Sequence, residues 1–123
     1  MNGSNLLLDS NIIIYYLQGN KTAYNLIENN NIFISVITEM ELLSYKNLTV
    51  KEEKIIKDLL SIFTIIPLKD SIKNKAIQLR KSYDIKLPDS IIVSSAIYLD
   101  CSFVSADRKL FDIEDASVVR FEL

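Results

Sequence analysis

The chain has 123 residues, a formal net charge of −2, and 49% hydrophobic and 24% charged residues, the balance of an ordinary globular domain rather than a disordered or fibrous chain. One Cys and no His exclude an internal disulfide, a structural zinc site and any nucleophile activated by histidine, and the net charge supplies no global attraction to nucleic acid. Two Gly and two Pro leave little room for a turn-rich sandwich or barrel and favour helices with buried strands.

From the N-terminus, residues 6–8 form a short apolar strand, followed by helices over about residues 11–17 and 22–28 with Gly19 and Asn20 between them. A β-rich run at 32–35 leads into a helix over about 37–45, and Thr49 with Glu52 makes a capping box for a helix reaching residue 60. Residues 63–66 read as a third strand stopped by Pro67; Asp70 then caps an amphipathic helix to about residue 83, with Ile72, Ala76, Leu79 and Tyr83 at helical spacing. Pro88 opens a helix through residue 99, and strands at 102–105 and 117–121 flank a helical turn at 108–111. Short apolar strands alternating with helices predict one α/β domain over residues 1–123: three layers, with a short parallel sheet of about five strands and helices on both faces. No run approaches the roughly 18 apolar residues that span a bilayer, and the first apolar run has no basic leader. A cytoplasmic protein with no membrane partner is the expectation.

In an open α/β sheet, ligands sit outside the carboxyl ends of the strands, at the point where strand order reverses. Asp9 follows the first strand and Asp107 the fourth, so both could face such a crevice; each could also simply cap the helical turn after it. The stretch LLLDSNIII, residues 6–14, sharpens this: a carboxylate, a hydroxyl and an amide between buried runs need a helix end, a hydrogen-bond network or a metal to satisfy them. On the helix after the second strand, Val36, Met40 and Leu43 form an apolar stripe with Glu39 and Glu41 on opposite flanks, and spacing does not choose between the two acids. Asp89 stands in the first turn of its helix, where the dipole favours an acid. It points with Ile92, Val93 and Ala96 while Ser90 and Ser94 point elsewhere, and an acid on the apolar side calls for a buried partner.

Four segments in order resemble the PIN domain family, and within it the VapC-like toxin ribonucleases. LLLDSNIII resembles the opening strand with its Asp-x-Asn signature, at Asp9 and Asn11. ISVITEMELL resembles the segment in which Thr precedes a Glu-Leu pair by three positions, at Thr38, Glu41 and Leu42, and so favours Glu41 over Glu39. LPDSIIVSSAI is similar to the segment where an acid opens an Ile- and Ala-rich helix, at Asp89. FVSADRKLFD resembles the strand end with Ser or Thr two residues before Asp, at Ser105 and Asp107, with Phe111 in the usual aromatic position. Ser10 and Ser105 stand where Thr is often found, and Tyr45 falls near a position where many relatives carry Gly.

The resemblance implies hydrolysis of RNA phosphodiester bonds with Mg²⁺ or Mn²⁺, ions that prefer oxygen ligands. It implies Asp9, Glu41, Asp89 and Asp107 as catalytic metal ligands, directly or through water, with Asn11 and Ser105 orienting ligands or a bridging water. It further implies an antitoxin protein partner and a homodimer, to which the apolar Ile12, Ile13, Tyr16 and Leu17 could contribute. Lys73, Lys81, Lys86, Arg108 and Lys109 are candidate phosphate contacts, or a solvated face. Tyr15 and Tyr16 could meet a partner or the core, and Asp112 is expected at the surface.

Other classes fit less well. A catalytically silent scaffold that binds protein or RNA gains nothing from clustered carboxylates. An aspartate-nucleophile phosphatase needs a second Asp where Asn11 stands, and a phosphorylation receiver needs an acid ending the third strand, where TIIPLKD has none before Asp70.

Overall fold

Leu6, Leu7 and Leu8 are all buried, and because successive strand side chains point to opposite faces, a strand of consecutive leucines must have both faces covered. Residues 3–123 are described here from a computed structural model. That first strand, β1 (Asn5–Leu8), is followed by α1 (Ser10–Leu17), α2 (Lys21–Glu28), β2 (Asn31–Ser35), α3 (Val36–Leu43), α4 (Val50–Leu60), β3 (Thr64–Ile66), α5 (Asp70–Ser82), α6 (Leu87–Leu99), β4 (Ser102–Ser105), a 3₁₀ turn (Arg108–Leu110) and β5 (Val118–Arg120). The five strands form one parallel sheet in the order β3-β2-β1-β4-β5, as the alternating pattern predicts.

The sheet separates two cores. Leu6 and Leu8, with Ile32, Ile34 and Val104, pack against Ile12, Ile13, Ala23, Ile27, Ile56 and Leu60 from α1, α2 and α4. Leu7 and Phe103 pack on the other face against Leu79, Ile92, Val93 and Ala96 from α5 and α6. The register sets Leu7 beside both Phe33 and Phe103, which puts it at the middle of that layer.

Local chemistry ends these elements where the sequence implies. Gly19, at φ +87°, takes the left-handed conformation after α1, and Asn20 Oδ1 accepts from the Ala23 N–H at 2.9 Å to start α2. The Thr49–Glu52 capping box is formed in both directions, at 3.0 Å each. Pro88 lies in the first turn of α6, where its missing N–H has no helical partner to lose.

Three local expectations are corrected. Asp70 does not cap α5: it lies one residue inside the helix, Lys69 occupies the cap position without a side-chain bond, and Asp70 acts only on the exposed first turn, 3.5 Å from Lys73. The fully buried side of α3 runs through Thr38 and Leu42; of the expected stripe, Val36 and Leu43 are half-buried and Met40 is exposed, because α3 packs between α4 and α6 and leaves Met40 outside that contact. Ser90 and Ser94 do not point away from the core, since every residue from Ser90 to Ala96 is buried. That stretch of α6 is enclosed on all sides, so its wheel has no solvent face to assign.

Candidate active site at the strand carboxyl ends

Strand order reverses at β1, which has β2 on one side and β4 on the other, so the crevice lies beyond the carboxyl ends of β1 and β4. Asp9 is the first residue after β1 and Asp107 the second after β4. α3 brings Glu41 from the β2 side, and α6 brings Asp89 in its first turn.

Asp9 is only 6% exposed and both its oxygens are held. Oδ1 accepts from the Ser10 N–H at 2.9 Å, and Oδ2 accepts from the Ser105 hydroxyl at 2.7 Å. Ser105 Oγ in turn accepts from the Asp107 N–H at 3.0 Å, so one serine joins the two strand-end acids. Ser10 does the same on the other side: its hydroxyl donates to Glu41 Oε1 at 2.8 Å. Asp107 also accepts from the Lys109 N–H at 3.0 Å and caps the 3₁₀ turn. Asp9 and Asp107 therefore both cap and line the crevice; the two readings do not compete.

Burial pushes the Asp9 carboxyl up to about 6, against the pull of its bonds to Ser105 and Ser10, and the charges of Asp89 and Asp107 push it further. Asp89 is also raised, first by burial, then by the charges of Asp107 and Glu41, with Lys86 and Lys109 opposing. Asp9 and Asp89 thus both carry the repulsion of acidic neighbours on top of the cost of burial. A cation between them would relieve that repulsion, and an all-oxygen donor set suits a hard divalent ion. Among the described residues, no three His, Cys, Asp or Glu side chains are already gathered where they could hold a metal ion, so binding one requires these side chains to converge further.

The remaining predicted residues divide. Asn11 Oδ1 is buried without a hydrogen-bond partner and makes no bond to the carboxylates. Glu39 lies in a separate hollow with Lys57 and Leu60, while Asp112 is exposed as expected. Lys86 and Lys109 line a cleft of about 360 Å³ together with Asp89 and Asp107. Lys81 is exposed on α5, and Arg108 lines a different hollow with Phe111 and Arg120. Tyr15 stacks on Phe121 and Tyr16 on Tyr24, with ring centroids 5.7 and 5.9 Å apart. Ile12 and Ile13 are wholly buried and contribute nothing to an outer surface: their excess over one sheet face is taken up by α2 and α4. One participant escaped the sequence reading, and another was noted without its role. Ser10 is the hydroxyl of the polar tripeptide, but its bond to Glu41 joins residues 31 apart in the chain. Arg80, which also lines the cleft, carries no signal within an amphipathic helix rich in lysine.

Among the described residues, no helix is long and apolar enough to cross a membrane.

The PIN domain family model matches residues 6–116. No curated protein sequence matches the chain. Among solved structures, a toxin-antitoxin complex from Klebsiella pneumoniae contains a chain of similar fold, with a TM-score of 0.84 and 29% identity over 96% of this chain and 99% of that one. VapBC2 from Rickettsia felis, bound to a DNA fragment from its promoter, gives 0.81 and 23% over 96% and 99%. FitAcB from Neisseria gonorrhoeae gives 0.79 and 21% over 94% and 96%. The family match spans the first four strands and all four acids, and the chain belongs to the PIN domain family, whose members are nucleases.

Proposed function

We propose that this chain is an endoribonuclease that hydrolyses RNA phosphodiester bonds with Mg²⁺ or Mn²⁺ and serves as the toxin of a toxin-antitoxin pair. The observation that carries the reading is Asp9: a buried carboxylate fixed by two serines and crowded by Asp89 and Asp107. Charge crowded into a crevice is what an ion-binding site requires and what a passive scaffold would avoid. Asp9, Asp89, Asp107 and Glu41 would hold the ion or ions, directly or through water. When bound, such an ion supplies an acidified water, a polarised phosphate and a stabilised leaving oxygen.

The chain's own part is orientation. Ser105 fixes Asp9 Oδ2 and the Asp107 backbone together, and Ser10 fixes Asp9 Oδ1 through its N–H while its hydroxyl holds Glu41. Asp9 is therefore held in place before the other acids converge on an ion, and supporting bonds of this kind commonly govern metal affinity by about 10–100-fold. Burial keeps water from Asp9 and strengthens the charge interactions that it makes. An antitoxin partner is supported by the neighbours that occur in toxin-antitoxin complexes, and a homodimer remains part of the proposal.

The test is cleavage of single-stranded RNA by the purified protein with Mg²⁺, with Mn²⁺ and with chelator. Cleavage that requires the ion and disappears with Asp9→Asn is the expected result. Cleavage that persists in excess chelator overturns the metal-dependent reading.

A further inference from the structure

Three cations from three separate segments meet in the cleft beside the acids: Arg80 from the last turn of α5, Lys86 immediately before α6, and Lys109 from the 3₁₀ turn. Asp84, Asp89 and Asp107 line the same cleft, yet none of the three cations forms an ion pair among the described residues, where the pairs are made by Lys54, Lys57, Lys73 and Lys75. All three are exposed, so their charged heads stand free in a concave site.

Arg80 is also anchored. Its Nε donates to the Ile85 carbonyl at 3.2 Å, which fixes the guanidinium plane and leaves the terminal nitrogens available for a forked contact with an anion. Lys109 is tied to the acids through its own backbone, since its N–H donates to Asp107. Lys86 and Lys109 both act electrostatically on Asp89, which places them at the border between the positive and negative parts of the cleft.

We propose that Arg80, Lys86 and Lys109 form a cradle for backbone phosphates of single-stranded RNA, holding the strand beside Asp89 and Asp107. The proposal rests on the nuclease reading and adds the residues that seat its substrate. A cleft of about 360 Å³ is of the size of a small-molecule pocket, room for one unit of a strand at a time. Cations paired to nothing across from carboxylates sort a polyanion by charge, drawing flanking phosphates to one wall and leaving the other to the reacting linkage.

The test is binding of a fluorescein-labelled short single-stranded RNA by the full chain in chelator, followed by anisotropy across a range of KCl concentrations. Three phosphate contacts predict a log–log salt slope of about −2, and Arg80→Ala, Lys86→Ala and Lys109→Ala should each reduce its magnitude by about 0.7 while weakening affinity several-fold. Lys81→Ala, one residue from Arg80 but outside the cleft, should change neither. Arg80→Ala also removes the bond to Ile85, so Lys86→Ala and Lys109→Ala, which lose no such bond, carry the test if thermal melts show that variant unfolded. Unchanged slopes in the lysine variants, or an equal effect of Lys81→Ala, overturn the cradle. Binding in chelator is independent of cleavage: a protein that cleaves RNA with Mn²⁺ but keeps its slopes overturns the cradle alone. One with the predicted slopes and no cleavage upholds the cradle and overturns the nuclease reading alone.

Discussion

Asp9→Asn removes one charge from the crevice and keeps the shape of the side chain. Raising the Asp9 carboxyl from its ordinary 3.8 to about 6 means that its ionised form costs the metal-free fold about 3 kcal/mol at neutral pH. The sign follows from proton counts. Between about pH 4 and 6 the native state holds the proton that the unfolded chain has released, so stability falls as pH rises through that window; below it the penalty vanishes. The substituted amide keeps an oxygen for the Ser10 N–H, but its NH₂ would face Ser105, whose hydroxyl proton then loses a charged acceptor, at about 1 kcal/mol. Metal-free Asp9→Asn should therefore be more stable than wild type by about 1–2 kcal/mol at pH 7.5, a rise in Tm of roughly 3–8 °C. At pH 4 the advantage should disappear. Mn²⁺ should raise the wild-type Tm by binding the native state and leave the variant nearly unmoved. Thermal melts in chelator at both pH values, repeated with Mn²⁺, read all of this. A variant less stable than wild type in chelator at pH 7.5 would refute the reasoning, because Asp9 would then be an ordinary structural acid.

Ser105→Ala should leave the fold intact and lower Mn²⁺ affinity by about 10–100-fold, measured by calorimetry, since it frees Asp9 Oδ2 and unties Asp107. Glu41→Gln should reduce RNA cleavage while Glu39→Gln leaves it at wild-type rate, because only Glu41 is drawn to the Asp9 side by Ser10; equal losses in a cleavage time course would contradict the assignment. Leu7→Ala, which empties a fully buried position between Phe33 and Phe103, should lower stability by about 2–5 kcal/mol in urea unfolding, and a loss under 1 kcal/mol would show that the layer collapses around the gap.

The sheet was legible because its signals are local and repeated: apolar runs too short for helices, separated by capped helices such as the one Thr49 and Glu52 begin. Asp9 and Asp107 could be picked out as strand-end acids before any contact was known, since each follows an apolar strand run in the sequence. What stayed hidden depends on which side of an element is covered. The wheel of α3 places Met40 with its apolar neighbours, yet Met40 is exposed, because packing between α4 and α6 selects a face that hydrophobicity does not mark. α6 defeats the wheel for the opposite reason, being enclosed on all sides from Ser90 to Ala96. Arg80 joins the site only because α5 and α6 pack antiparallel across the loop that contains Ile85, and no spacing in the sequence records that contact. Ile12 and Ile13 show the same limit: an apolar helix with two neighbours reads like one with an outer face to share.

The central claim is that these four acids form one divalent-ion site. Anomalous diffraction from a crystal soaked in Mn²⁺ tests it most directly. The predicted result is a peak at coordination distance, about 2.0–2.3 Å, from Asp9 and at least one of Asp89 and Asp107, absent from an Asp9→Asn crystal soaked in the same way. A wild-type crystal with no peak in the crevice, from protein that still cleaves RNA in Mn²⁺, would contradict it.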